Sequence, residues 1–308
     1  MLHGAYRMSD KSVPDAHDRL WRRAVIGLPF SWLALFFLVP FALVLKISLA
    51  DPMLAQPPYS NLIEWSEVTG YRVRASLDNF RFLLEDNLYL ISYWRSIRIA
   101  AIATGLCLLL GFPMAYAIAR APQPWRNIFL LLVMLPFWTS SLLQLYAWMV
   151  MLSQQGVINQ VLLGLGLIDT PLKILYTNTA VYIGIVYTFL PFMVLPLYAT
   201  LERLDPDIHE AASDLGASPA RVFRDITLPM ALPGILAGSL LVFIPALGSY
   251  IIPAMLGGLD TLMIGRTLYD EFFLNRDWPL ASAVAIVLLL VLIVPIMLFQ
   301  RLQQERET

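Results

Sequence analysis

Two groups of side chains in this sequence have types and spacing that could do chemistry, and both suit binding better than catalysis. The first group is a short polar segment: Glu210, Ala211, Ala212, Gly216, Ile226, Leu228 and Pro229. The second group combines aromatic rings with acids: Trp138, Tyr146, Trp148, Tyr269, Asp270, Glu271 and Asp277. Carboxylates attract cations by charge and aromatic faces attract them by their quadrupole, so this second group favours a cationic solute.

Motifs for catalysis and nucleotide binding are missing from the sequence. Each of the three lysines, Lys11, Lys46 and Lys173, follows a residue other than glycine, so there is no Gly-Lys-Ser/Thr phosphate loop. The three histidines lack metal-ligand spacing, and no Gly-x-Ser-x-Gly elbow occurs. His209 is interpreted as a solvated surface residue. We therefore expect no catalytic residue, no metal and no cofactor bound by this chain.

Composition indicates the class of protein. Of the 308 residues, 58% are hydrophobic and 14% are charged, and the mean hydropathy is +0.68. A single soluble core cannot bury so much apolar surface, which predicts an integral membrane protein. The net charge of -1 offers no basic surface for nucleic acid, and the single cysteine, Cys107, excludes an internal disulfide.

Six segments have the length and composition of membrane-spanning helices, for which about 20 apolar residues are needed. They cover residues 24–49, 97–119, 127–152, 178–200, 231–256 and 279–299. The first run is too long for the apolar part of a cleaved signal peptide. The sequence thus predicts an all-α membrane protein with a six-helix domain at 24–300, a disordered tail at 1–23 and a second tail at 301–308. Either Met1 or Met8 can be the true start.

Local signals organise two of the connecting segments. Asp205 and Pro206 predict the capped start of a short helix, Gly216 its end, and Ser218-Pro219 the start of another. One face of the first helix shares apolar residues at helical spacing: Ile208, Ala211, Ala212 and Leu215. A third short helix is predicted at the membrane surface from Leu77-Asp78-Asn79-Phe80, with Phe80, Leu83 and Leu84 on one side.

The polar segment resembles the EAA loop of ABC-importer permeases at every defining position. The shared pattern is Glu210-Ala211-Ala212, three residues, Gly216, nine residues, Ile226, one residue, and Leu228-Pro229. The resemblance implies a cytoplasmic coupling loop at 202–229 that sits in a groove of a separate ATPase subunit. Glu210 then serves as the polar contact or cap at that groove, and Gly216 as the turn. For a bare Glu-Ala-Ala, an ordinary amphipathic surface helix is the alternative.

A second resemblance extends from about residue 24 to the end of the chain. It is similar to the putrescine/spermidine importer permeases, specifically the first of their two permease subunits, in the segments LPFWTS at 135–140, YIGIVY at 182–187, PFM at 191–193, FIPA at 243–246 and NRDWP at 275–279. Gln144 departs from this pattern, since relatives commonly have Arg there. Ser249 also departs, at a position where polyamine relatives can carry an acid.

The family resemblance implies the surroundings of this chain. It implies a type I importer bundle in a bacterial inner membrane, as half of a heterodimer with a second permease. Its partners are two ATP-binding subunits that use ATP and Mg, an extracytoplasmic solute-binding protein and a cationic small molecule. The basic residues agree with cytoplasmic termini, because that orientation puts twelve of the 21 Lys and Arg inside.

Other interpretations remain open at this point. For each aromatic or acidic residue taken separately, an interfacial belt or a solvated outer loop competes with a role in the solute path. Related permeases move other solutes, such as opines, iron, sulfate or phosphonates. A secondary transporter is the alternative from another class, and it predicts charged residues near mid-membrane or an internal repeat, neither of which is clear here.

Overall fold

A computed structural model describes residues 16–66, 70–73 and 75–307. In chain order the elements are α1 (Ala16–Leu33), a π-helical turn (Ala34–Leu38), α2 (Val39–Ser48), β1 (Ile63–Ser66), β2 (Gly70–Val73), α3 (Asp78–Glu85), α4 (Asn87–Arg120), α5 (Trp125–Met134), a 3-10 turn (Leu135–Trp138), α6 (Ser141–Leu152), α7 (Val157–Gly164), α8 (Asn178–Leu201), α9 (Pro206–Asp214), α10 (Pro219–Val222), a π-helical turn (Phe223–Thr227), α11 (Leu228–Leu247), α12 (Ile251–Leu256), a 3-10 turn (Leu259–Thr261), α13 (Ile264–Tyr269), a π-helical turn (Asp270–Leu274) and α14 (Trp278–Glu307). An antiparallel hairpin of β1 and β2 is the exception to an otherwise helical fold.

Within the described residues, five helical segments are long and apolar enough to cross a membrane. They are Val25–Ser48, Asn87–Arg120, Asn178–Leu201, Pro219–Leu247 and Trp278–Met297. A sixth span is obtained when the pair Trp125–Trp138 and Ser141–Gly164, bent by 93°, counts as one. With that count the six predicted spans agree with the structure.

The third predicted span is wrong in one respect, because it does not run continuously from 127 to 152. The chain leaves the helix at Thr139 and Ser140, and α6 starts in a new direction. The side-chain amide of Gln144 donates hydrogen bonds to the carbonyl oxygen of Pro136 and to the Thr139 hydroxyl, and lies 3.3 Å from the Thr139 carbonyl oxygen. The Gln144 amide thus bonds to polar groups at the break, where the Pro136 carbonyl also accepts the N–H of Thr139 at 3.4 Å.

The fifth predicted span, 231–256, also differs, since α11 ends at Leu247 and α12 begins only at Ile251. Pro253 has no N–H, so the carbonyl of Ser249 lacks the donor that a continuous helix would supply four residues later. Hydropathy averages over such a window and therefore does not register the break. The short helix α12 contributes Leu256 to the core.

The core of the bundle is the mutual packing of α4, α8 and α11. Glycines permit the close approach of these helices, as is common where helices meet in membranes. A Cβ on Gly238 of α11 would lie 2.8 Å from the sulfur of Met193 in α8. The first span is different, because none of its most apolar window is buried inside the chain, and only α2 packs extensively, against α14.

The short helix predicted from Leu77-Asp78-Asn79-Phe80 is observed as α3, but the residues on its buried face differ from the predicted ones. The Ser76 hydroxyl accepts the N–H of Asp78 at 3.0 Å just before the helix begins. Asn79 and Leu83 are buried, whereas Leu84 is 71% exposed. The Asn79 amide donates to the carbonyls of Ser48 and Ala50 at 3.0 and 2.9 Å, which ties α3 to the end of the first span.

Helices extend into both of the predicted tails. The structure is helical from Ala16, so the disorder predicted for residues 16–23 is wrong, and residues 1–15 lie outside the described residues. At the other end α14 continues to Glu307. The predicted tail at 301–307 is therefore an extension of the last helix.

Candidate functional site

The polar segment between α8 and α11 folds as two short helices in the predicted places. Asp205 caps the first, α9, because its carboxylate accepts the N–H of Asp207 at 3.0 Å. Pro206 occupies the first helical position, where its missing N–H has no cost. The second helix, α10, begins at Pro219 after Ser218, whose position matches the prediction although its side chain makes no capping hydrogen bond.

Gly216 forms the turn between the two helices. Its φ of 80° is in the left-handed region that favours glycine. The N–H of Ala217 bonds to the carbonyl of Ala212 at 3.0 Å, and the N–H of Gly216 bonds to that of Ser213 at 2.9 Å. These bonds satisfy carbonyls at the end of α9, as a left-handed C-cap does. The turn predicted from the sequence is confirmed.

A side-chain bond fastens the two ends of this segment together. Nε2 of His209 lies 3.0 Å from the hydroxyl oxygen of Thr227, which is fully buried. Nδ1 of His209 is buried and has no hydrogen-bond partner among the described residues. The interpretation of His209 as a solvated residue is therefore wrong. No local signal could have revealed this contact, because the two partners are 18 residues apart.

The outer surface of the segment is unusually apolar for a solvent-facing turn. Leu215 is 90% exposed and Ile208 is 40% exposed, and Glu210 and Ala211 are exposed beside them. We call Ile208, Glu210, Ala211 and Leu215 the loop surface. An exposed apolar patch rimmed by polar groups is typical of a protein interaction site.

The segment that carries the loop surface packs against the membrane helices. Phe223, in the turn after α10, packs edge-to-face on the rings of Phe112 and Tyr116 in α4, with centroid distances of 5.5 and 6.3 Å. Ile226 is half-buried, and Leu228 starts α11. These contacts join the segment that carries the loop surface to the membrane helices α4 and α11.

A cleft of about 500 Å³ adjoins α9 on its inner side. Its polar lining includes Arg120, Arg126, Glu202, His209 and Glu210. Arg126 and Glu202 form an ion pair at 2.7 Å, and the Arg120 guanidinium lies 4.2 Å from the centre of the Tyr116 ring. The ion pair between Arg126 and Glu202 connects the start of α5 to the end of α8, next to the polar segment.

The aromatic members of the second group lie around the break in the third span. Trp138 ends the 3-10 turn and is 72% exposed, and Tyr146 on α6 is 58% exposed. Trp148 is half-buried and meets the ring of Tyr187 edge-on at 5.4 Å. Trp138 and Tyr146 are thus available to a solute, a lipid or a partner, whereas Trp148 belongs partly to the core.

The acidic members lie between α13 and α14, and they differ from one another. Tyr269 stacks on Tyr250 at 4.8 Å, and Asp270 lies 3.9 Å from Arg266. Glu271 is only 8% exposed and accepts hydrogen bonds from the Tyr89 hydroxyl at 2.7 Å and the Asn275 amide at 2.8 Å. Among the described residues, no hydrogen bond, ion pair or ring contact joins this group to Trp138, Tyr146 or Trp148.

Asp277 stands at the start of α14 and is partly desolvated. Its carboxylate accepts the N–H of Leu280 at 3.0 Å and so caps the helix. Burial raises the pKa of Asp277 above its usual value, and the charge of Glu271 acts in the same direction against that hydrogen bond. The charged form is thus less favourable in the folded chain than in the unfolded one.

We expect Asp277→Asn to stabilise the protein near neutral pH. Because the folded-state pKa is raised, the contribution of Asp277 to stability is fully present at low pH and is lost as the pH rises through the folded value. Asn cannot ionise but keeps an oxygen for the Leu280 N–H. The measurement is the unfolding temperature of both proteins from pH 4 to pH 8. A difference in favour of Asn that grows with pH supports the pKa shift, and a constant difference contradicts it.

Comparison with known proteins places this chain in a family. The family model described as "Binding-protein-dependent transport system inner membrane component" matches residues 107–308. The spermidine/putrescine transport system permease protein PotB of Haemophilus influenzae is 38% identical over 281 residues, which cover 91% of this chain and 93% of that protein. The protein of the same name from Escherichia coli K12 is 39% identical over 270 residues, covering 88% and 93%.

Solved structures agree on the fold. A chain of a bacterial alginate ABC transporter, crystallised with an alginate pentasaccharide-bound periplasmic protein, superposes with a TM-score of 0.64 at 20% identity, over 93% of this chain and 95% of that one. A chain of the MetNI methionine ABC transporter superposes with a TM-score of 0.53 at 17% identity, over 73% and 97%. At these identities the likeness concerns the fold alone.

Fold and comparisons together define a multi-pass inner-membrane transport component of the ABC-importer kind. The chain belongs to the family of binding-protein-dependent transport system inner membrane components. Members of this family are transport subunits and not enzymes, and the family implies ATPase and binding-protein partners.

Proposed function

We propose that this chain is one permease subunit of an ATP-driven polyamine importer, and that it forms half of the path for putrescine or spermidine. The observation that carries this proposal is 38–39% identity over about nine tenths of the chain to permeases named for these solutes. Acids and aromatic rings around the outer end of the fifth and sixth spans support it, since they suit a cation better than an anion.

The proposed assembly contains a second, different permease, two ATP-binding subunits and an extracytoplasmic solute-binding protein. Both termini of this chain are then cytoplasmic, and the loop surface faces an ATPase subunit. Glu210, Ala211, Ala212, Gly216, Ile226, Leu228 and Pro229 form the coupling segment: the first three on α9, the turn at Gly216, and the rest at the entrance to α11. The partner ATPase subunits bind and use ATP and Mg.

The proposed coupling follows from the contacts between the polar segment and the membrane helices. When ATP draws the two ATPase subunits together, the loop surface of this chain moves with the ATPase subunit that binds it. Because Phe223 is packed on α4 and His209 is bonded to Thr227, α9 and the start of α11 move as one unit. The bundle then opens outward to accept solute, and hydrolysis resets it.

Reconstitution tests this function. The purified chain alone should hydrolyse no ATP, whereas the assembled complex with its binding protein in lipid nanodiscs should hydrolyse ATP faster when a polyamine is present. Radiolabelled putrescine and spermidine should accumulate in proteoliposomes, in competition with each other but not with sulfate. Transport of an anion instead of a polyamine, or ATPase activity of the isolated chain free of contaminants, would contradict the proposal.

Three variants of the candidate path residues have different expected effects. Trp138→Leu removes an exposed ring and should weaken uptake of cationic chains several-fold to about thirtyfold, from roughly 0.5–2 kcal/mol of cation–π attraction. Asp270→Asn should act in the same direction. Glu271→Gln should also lower the unfolding temperature, because Glu271 accepts hydrogen bonds from Tyr89 and Asn275.

Uptake and substrate-stimulated ATPase activity are measured at matched assembly. Phe137→Leu is the control for Trp138→Leu, because it removes the neighbouring ring, whose centroid lies 4.8 Å from that of Phe192. Normal polyamine uptake by all three variants would exclude these residues from the path while leaving the permease function intact.

A further inference from the structure

Two membrane spans break beside one cavity. The third span breaks just before Ser141, and the fifth breaks between Leu247 and Ile251. A cavity of about 200 Å³ lies between these breaks, and its lining includes Ser141, Ser249 and Tyr250. Thr188, close to the middle of α8, closes another side. Irregular backbone at membrane depth is tolerated where it is buried in protein or lines a water-filled cavity, so the two breaks and the cavity form one feature.

Hydroxyl side chains in the lining of this cavity make no hydrogen bond to the described residues. Among the described residues, the side chains of Ser141, Thr188 and Ser249 have no hydrogen-bond partner. In a helix, a Thr hydroxyl commonly bonds to the carbonyl four residues earlier. Thr200, on the same helix as Thr188, does so with Pro196 at 2.9 Å. The hydroxyl of Thr188 is instead available to a molecule in the cavity.

An aromatic ring completes the wall. Tyr250 lines the cavity, and its ring is stacked on Tyr269 with a 9° angle between the planes. Tyr250 is 39% exposed, and aromatic faces attract cations. The rest of the lining is apolar and includes Leu145, Phe189 and Pro245, and no charged residue belongs to it. The cavity can therefore hold methylene groups beside one polar end.

We propose that this cavity is a transit site for one ammonium end of the transported cation. The hydroxyl oxygens of Ser141, Thr188 and Ser249 accept its N–H groups, the Tyr250 ring lies against its charge, and the apolar wall receives the adjoining methylenes. At about 30 Å³ per water-sized group, the volume suits on the order of six non-hydrogen atoms. This inference rests on the proposed polyamine transport and names the residues that contact the solute.

The missing carboxylate has a physical purpose in this arrangement. Conduction requires that a site bind its ion strongly enough for entry and weakly enough for release. Neutral hydroxyls and a ring replace part of the hydration of an ammonium group without the strong attraction of a buried carboxylate. The solute would thus be held only briefly on its way across.

The first test removes hydroxyls without changing side-chain volume much. In the full complex with its binding protein, Thr188→Val and Ser249→Ala should each raise the KM for polyamine uptake, and the double variant by about tenfold. Thr200→Val is the matched control, since its hydroxyl is occupied within the same helix. Unchanged uptake in the double variant, or an equal loss in the control at matched assembly, would overturn the transit site.

The second test detects occupancy directly. Cys107 is the only cysteine and is replaced by Ala, and Ser249→Cys is then labelled with aminoethyl methanethiosulfonate, a small cationic thiol reagent. Spermidine should slow the labelling several-fold, whereas sorbitol should not. Thr170→Cys, on an exposed outer loop, should react at the same rate with or without spermidine. Labelling of Ser249→Cys that ignores spermidine, or is slowed equally by sorbitol, would contradict an ammonium site.

The two proposals fail in different ways. If the unmodified complex transports no polyamine, the proposed function is wrong and the transit site falls with it. If the unmodified complex transports polyamines but the hydroxyl variants and the labelling are unaffected, only the transit site is wrong.

Discussion

Gly216→Asp is expected to abolish ATP-dependent uptake while the protein still inserts and assembles. Gly216 has a φ of 80°, and a Cβ built on it has no atom within 4 Å. Asp is among the residues that tolerate the left-handed region best, so the turn itself should survive. The new charge, however, lies beside Leu215 on the loop surface. An unpaired charge buried at an interface costs about 2–5 kcal/mol, which corresponds to at least roughly thirtyfold in affinity.

Two variants separate the possible causes of that loss. Gly216→Asn has the same shape without the charge and should keep most of the uptake. Gly166→Asp places the same residue at a φ of 67°, again with open space around it, but in the turn after α7 on the opposite side of the proposed topology. It should transport normally. Uptake and ATPase activity are measured in proteoliposomes with equal amounts of complex.

The outcomes are distinct. Normal uptake by Gly216→Asp would exclude the loop surface from ATPase coupling. Equal losses in the Asp and Asn variants would show that the glycine turn itself, and not the charge, is required.

Gly234→Ala is expected to destabilise the bundle at a close contact between α8 and α11. The added methyl group would lie 2.6 Å from the Thr200 hydroxyl oxygen and 2.8 Å from the Pro196 carbonyl oxygen. Backbone cannot retreat as a flexible side chain does, so α11 must shift. Overpacking of this kind costs about 1–3 kcal/mol, and the unfolding temperature should fall by roughly 3–8 °C.

Gly105→Ala is the matched control for this prediction. Gly105 lies within α4, and no atom would contact its Cβ within 4 Å. Replacing a helical Gly by Ala there should be neutral, or stabilising by up to about 1 kcal/mol. Thermal unfolding of both variants is measured in the same detergent. Similar unfolding temperatures for the two would contradict the packing seen between α8 and α11.

Much of the polar segment could be predicted because its signals act locally. Asp205, Pro206, Gly216 and Pro219 each bias the backbone within a few residues, through a cap, a fixed φ or a left-handed turn. Their predicted positions agree with α9, α10 and the turn between them. The fastening of His209 to Thr227 was not predictable in this way, since it depends on how two helices pack.

The acidic residues between α13 and α14 also differ in a way that the sequence could not predict. Composition and position grouped Asp270, Glu271 and Asp277 as alike. In the structure Glu271 is buried and bonded to Tyr89, a residue 182 positions away, whereas Asp270 is half-buried near Arg266. Burial and partners depend on chain segments that meet only in the folded state, and these decide whether a carboxylate is structural or available to a solute.

By itself, the sequence determined the class of protein, the number and approximate location of the apolar spans, and the helix-turn-helix of the polar segment. These follow from summed hydropathy and from local backbone preferences, which do not depend on distant residues. Only the tertiary structure decided where the third and fifth spans break, and that both breaks border one cavity with Thr188. The reason is physical: a broken membrane helix is stable only when other groups satisfy or enclose its freed backbone, and those groups come from elsewhere in the fold.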